Sequence, residues 1–116
     1  MSEVSGGCHC GTVRFEAEVD TSKAVECNCT YCHKTGGLLA ATGRSQFRIT
    51  AGEEALTEYR FNKGVLVHQF CSTCGINVST YGIGPGGSEM AVVNLRCVDS
   101  MDLSRFERIP FDGLSL

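Results

Sequence analysis

Eight cysteines in 116 residues fall into four groups, and their spacing limits the fold more than any other feature of the chain. The groups are Cys8/Cys10, Cys27/Cys29/Cys32, Cys71/Cys74 and the lone Cys97. Cys8-His9-Cys10 and Cys27-Asn28-Cys29 are too tightly spaced to close on themselves as disulfides without strain. Clustered thiols in a reducing compartment bind metal more often than they oxidise. The start "MSEVSGGCHC" carries neither a basic n-region nor an apolar h-region, so a cytoplasmic location is expected.

Two pairs end in Cys-Gly: Cys10 precedes Gly11 and Cys74 precedes Gly75. Glycine there is free to take the left-handed turn that aims backbone N–H groups at the thiolates. Cys8, Cys10, Cys71 and Cys74 together complete one closed tetrahedron, the arrangement of structural zinc. The stretch "CNCTYCH" supplies three more ligands, Cys27, Cys29 and Cys32, and leaves that second set one short. Cys97, His33 or His68 can fill the fourth position. Otherwise it stays open to water or substrate, as in catalytic zinc sites.

The rest of the chain reads as short strands. In "GTVRFEAEV" (11–19), Val13, Phe15, Ala17 and Val19 share one face and polar residues the other. "ALTEYRF" (55–61) and "VLVHQF" (65–70) flank "NKG", a hairpin signal. "INVSTY" (76–81) and "EMAVVNL" (89–95) are further strands, joined by "GIGPGGS"; "GLLAATG" (37–43) and "SQFRIT" (45–50) carry weaker strand patterns. The one expected helical turn is short and lies in "SMDLSRF" (100–106). The fold class is therefore all-β, a single domain over 1–116, with cysteines at the turns and metal clips adding rigidity.

Charge narrows the partners. The net charge is −3 with cysteines neutral. Seven thiolates on two zinc ions would bring it to about −6. Such a surface suits no nucleic-acid backbone, and no apolar run reaches the length of a membrane span.

The ordered set "GGCHCGTVRFE", "CNCTYCHKTGG", "YRFNKG…HQFCSTCGI", "VNLRCVDSMDL" and "FDG" resembles the glutathione-dependent formaldehyde-activating enzyme family, which also contains centromere protein V. The resemblance runs from Gly6 to Gly113. It implies a β-tent-like domain of short antiparallel strands clipped by two zinc ions. It also implies structural zinc on Cys8, Cys10, Cys71 and Cys74, and catalytic zinc on Cys27, Cys29 and Cys32. The activity implied is carbon–sulfur lyase or synthase chemistry on a small thiol adduct, with glutathione and formaldehyde giving S-hydroxymethylglutathione. Lys34, Arg44 and Arg14 are candidate cations for an anionic thiol; the plain alternative is solvated surface charge. A non-catalytic zinc-stabilised protein-binding module is the competing expectation.

Overall fold

A computed structural model describes residues 1–61 and 66–115. Its ten strands are β1 (Ser2–Gly7), β2 (Arg14–Val19), β3 (Lys23–Cys27), β4 (Leu39–Gly43), β5 (Phe47–Ala51), β6 (Leu56–Tyr59), β7 (Val67–Cys71), β8 (Asn77–Ile83), β9 (Glu89–Asn94) and β10 (Glu107–Phe111). They form two sheets. The smaller has the order β1-β2-β5, and the larger β10-β3-β4-β9-β8-β7-β6. This is the all-β architecture expected, and every strand pairing among the described residues is antiparallel except β3 with β10.

The alternation in β2 sets the core. Val13, Phe15, Ala17 and Val19 are wholly buried. Period-two patterning puts them on one face, and that face packs with Leu38, Val78, Val93 and Leu95 in one cluster. The Phe15 and Phe47 rings meet at 5.5 Å, tying β2 to its neighbour β5. The weakly patterned 37–50 stretch forms β4 and β5, but in different sheets; a single turn at Arg44–Gln46 carries the chain across. The expected pairing of 55–61 with 65–70 appears as β6 against β7. The "NKG" turn itself lies outside the described residues.

Four elements carry no clear sequence signal. In β1, the inward positions after Val4 are Gly6 and Gly7. A Cβ on Gly6 would stand 2.1 Å from the Cys97 carbonyl oxygen, so close backbone approach replaces the usual apolar side chain. β3 and β10 bury almost nothing beyond Ala24, so alternation has no buried face to report. The fourth is a helix, α1 (Thr30–Thr35), inside the cysteine triad, whereas the only expected helical turn was in 100–106. It has no buried residue and is too short for a period. Its ends define it: Cys29 caps the start, accepting the Cys32 N–H, and Gly36 closes it in the left-handed conformation. The 100–106 stretch supplies one 3₁₀ turn, Leu103–Arg105.

The cysteines do stand at strand ends, but not outside the apolar interior. Cys8, Cys71 and Cys97 belong to the core cluster, Cys71 as the last residue of β7. No helix among the described residues is long and apolar enough to cross a membrane.

Candidate metal centres

Two turns of the same design meet at the first centre. After β1, Gly11 N–H donates to the Cys8 carbonyl at 3.2 Å; after β7, Gly75 N–H donates to the Cys71 carbonyl at 2.8 Å. Both glycines have φ near +80°: 82° at Gly11 and 81° at Gly75. Each turn folds its two sulfurs toward the other turn, so Cys8, Cys10, Cys71 and Cys74 come together with all four sulfurs within 4.8 Å. Cys8 Sγ lies 3.6 Å from Cys10 Sγ, which lies 3.7 Å from Cys71 Sγ. A disulfide needs about 2.05 Å. A tetrahedron with metal–sulfur bonds of about 2.3 Å puts its sulfurs about 3.8 Å apart. The quartet has the spacing of a metal cage, and it fastens a turn of the small sheet to a turn of the large one.

Its thiols are unevenly poised. The Cys10 and Ile76 backbone N–H groups hold Cys74 down to about 6. Thr12 holds Cys10 below the usual thiol range, while burial pushes Cys8 up. Anion-favouring N–H groups therefore stand where thiolate ligands would be needed.

The second centre is local. Cys27 ends β3, Cys29 caps α1 and Cys32 lies in its first turn. The triad thus spans a strand end running into a helix. The three sulfurs lie within 4.8 Å of one another, and no fourth His, Cys, Asp or Glu joins the group among the described residues. Cys29 N–H donates to Cys27 Sγ at 3.4 Å and Cys32 N–H to Cys29 Sγ at 3.3 Å. Burial opposes ionisation at Cys29, but the Cys32 N–H and neighbouring thiols outweigh it and its pKa falls. Burial pushes Cys27 and Cys32 upward. A soft cation would offset the cost of holding three thiolates together, and the donor set suits zinc.

None of the three fourth-ligand candidates joins the triad. Cys97 is buried with its thiol donating to the Asn77 carbonyl at 3.4 Å, and burial raises its pKa to about 11. The charges it feels are those of Cys8 and Cys74, so it flanks the quartet. His33 is exposed. His68 is buried: its Nδ1 meets Thr80 Oγ1 at 2.9 Å, and its ring stacks 4.1 Å from that of Tyr31. Its Nε2 has no hydrogen-bond partner among the described residues.

Of the expected cations, Arg14 is paired with Asp99, and Arg44 lies 4.8 Å over the Tyr81 ring. Lys34 stays on α1, in a slot of about 240 Å³ with Tyr31, Tyr59 and Phe61. A larger cleft of about 630 Å³ runs between α1 and the quartet turn, lined by Tyr31, Thr35, Asn77, Asn94, Arg96 and Cys97 among others. Arg96 is the cation that sequence reasoning missed. Its Nε donates to the Gly36 carbonyl at 2.8 Å, which ties it to the end of α1. "GIGPGGS" runs from the end of β8 towards β9, and none of its described residues lines either cavity.

Two packed sheets, a closed thiol quartet and a three-thiol site on a helix that borders a cleft define a small β protein with two distinct candidate metal centres. The profile of the family described as "Glutathione-dependent formaldehyde-activating enzyme" matches residues 3–108. The chain belongs to that family. It is also similar to a crystal structure of a Rhodobacter sphaeroides protein, determined as a structural-genomics target. The two share 30% sequence identity at a TM-score of 0.80, over 91% of this chain and 97% of that one.

Proposed function

We propose that this protein is a zinc-dependent carbon–sulfur lyase or synthase acting on small thiol adducts, with glutathione and formaldehyde as the substrate pair. Cys27, Cys29 and Cys32 hold the catalytic zinc; Cys8, Cys10, Cys71 and Cys74 hold the structural one. One observation carries the reading: the triad gathers three sulfurs and, among the described residues, no fourth protein ligand, beside a helix that borders a cleft of about 630 Å³. Family membership supplies the substrate class.

The reaction is a simple addition. The thiol sulfur bonds to the formaldehyde carbon, the C=O π bond opens, and the thiol proton ends on the new hydroxyl oxygen. Bound zinc would supply Lewis acidity and favour the thiolate form of the substrate. The protein's own part is to pre-arrange the site. The Cys29 and Cys32 N–H groups steady the negative charge on the triad. Arg96 gives the cleft a fixed positive charge for a carboxylate of an anionic thiol. Holding two small reactants together lowers the barrier by up to about 7–11 kcal/mol. A cytoplasmic setting, where thiols remain reduced, suits eight unbridged cysteines.

The test is proton exchange NMR on equilibrated glutathione and formaldehyde, with zinc-loaded protein and with a Cys32→Ser variant. Exchange should accelerate with the intact triad only, while the variant keeps its fold and its quartet zinc. Unchanged exchange would reject this substrate pair and favour the binding-module alternative.

A further inference from the structure

Asn28 sits between two triad thiols, is exposed, and yet makes three hydrogen bonds to one short segment of chain. Its backbone N–H donates to the Phe111 carbonyl at 3.1 Å. Its Nδ2 donates to Asp112 Oδ1 at 3.0 Å, and its Oδ1 accepts the Leu114 N–H at 2.8 Å. Asp112 is itself held, its Oδ2 accepting the Ser115 hydroxyl at 2.7 Å. The parallel pairing of β3 and β10 sets this up by placing Phe111 opposite Cys27.

The same segment touches the sulfurs. A Cβ on Gly113 would stand 2.6 Å from Cys27 Sγ and 3.2 Å from Cys29 Cβ. The contact is with ligand atoms rather than with a flexible side-chain end, so only glycine fits without displacing a thiol. Gly113 therefore packs directly against the flank of Cys27. Asn28 meanwhile fixes the peptide that delivers the Cys29 N–H to Cys27 Sγ.

We propose that Asn28 and the Phe111–Leu114 segment form a clasp that positions Cys27 and Cys29 and retains the metal of the triad. Asn28, Asp112 and Gly113 are positioning residues and touch no substrate. The clasp rests on the reading of the triad as a zinc site, not on the reaction assigned to it.

The experiment follows zinc release from the two-zinc protein to an excess of a chromophoric chelator. The phase that disappears in Cys32→Ser belongs to the triad. In Asn28→Ala and Gly113→Ala that phase should accelerate on the order of 10- to 100-fold, the usual effect of removing a partner that orients ligands. The quartet phase should keep its wild-type rate, which general loosening of the fold would not allow. Wild-type triad release in both variants, or equal acceleration of both phases, would overturn the clasp. Should Gly113→Ala fail to fold, Asp112→Ala removes only the exposed carboxylate that accepts from Asn28 and Ser115, and must still accelerate triad release selectively. A Cys32→Ser protein that binds two zinc ions would instead refute the metal reading on which the clasp depends.

Discussion

The two centres should differ in what they contribute to stability, because they close loops of different length. Cys10 and Cys71, in contact at the quartet, are 61 residues apart, while Cys27 and Cys32 are five apart. A cross-link removes unfolded-chain entropy in proportion to the logarithm of the loop it closes. By that relation the quartet is worth about 4 kcal/mol and the triad about 2 kcal/mol. For a chain of this size roughly 4 °C in Tm corresponds to each kcal/mol. The double variant Cys10→Ser/Cys74→Ser should therefore melt roughly 16 °C below the zinc-loaded wild type, and Cys29→Ser/Cys32→Ser roughly 8 °C below. Neither pair is fully buried, so the serines add little cost of their own. Serine at position 29 also keeps a good cap on α1. Each variant removes two sulfur ligands, so loop length rather than ligand count sets the gap. Thermal unfolding by circular dichroism, with zinc content measured on the same samples, reads the difference. If the triad variant melts as low as the quartet variant, the division into a long-range staple and a local site is wrong.

Phe15→Ala should cost about 3–5 kcal/mol in urea denaturation, since the ring is wholly buried against Phe47; a loss below about 2 kcal/mol would mean the sheets collapse to fill the space. His68 gives a pH signature. Burial lowers its pKa from 6.5, so the unfolded chain binds the proton more readily. Its contribution is complete above 6.5 and is lost as pH falls through the lowered folded value. The stability gap between wild type and His68→Gln, at saturating zinc, should shift against the wild type between about pH 7.5 and about pH 5.5. A gap that does not move with pH would show that His68 does not titrate on unfolding.

How much of this was legible before folding depends on the range of the signal. The buried face of β2 is written in alternate residues, and Phe15 lands where the pattern puts it. The thiol groupings were legible too, because CxC, CxxC and CxCxxC spacings are local geometry, and Gly11 and Gly75 announce their turns. What spacing could not report was neighbourhood. Nothing near Cys32 in sequence points to Gly113, and nothing near Lys34 points to Arg96. Cys97, a candidate for the triad, packs beside the quartet because the turn that carries it lies under Gly6.

The sequence by itself determined the strand-rich class, the inner face of β2 and which cysteines are close enough along the chain to share an ion. The tertiary structure alone decided that Cys97 stands beside the quartet rather than the triad, where the cleft lies, and that residues 111–114 press on the triad. The division has a physical cause. Side-chain periodicity and tight-turn chemistry act over a few residues. Sheet pairing, above all the parallel pairing of β3 with β10, brings together residues whose types carry no mark of their distant partners.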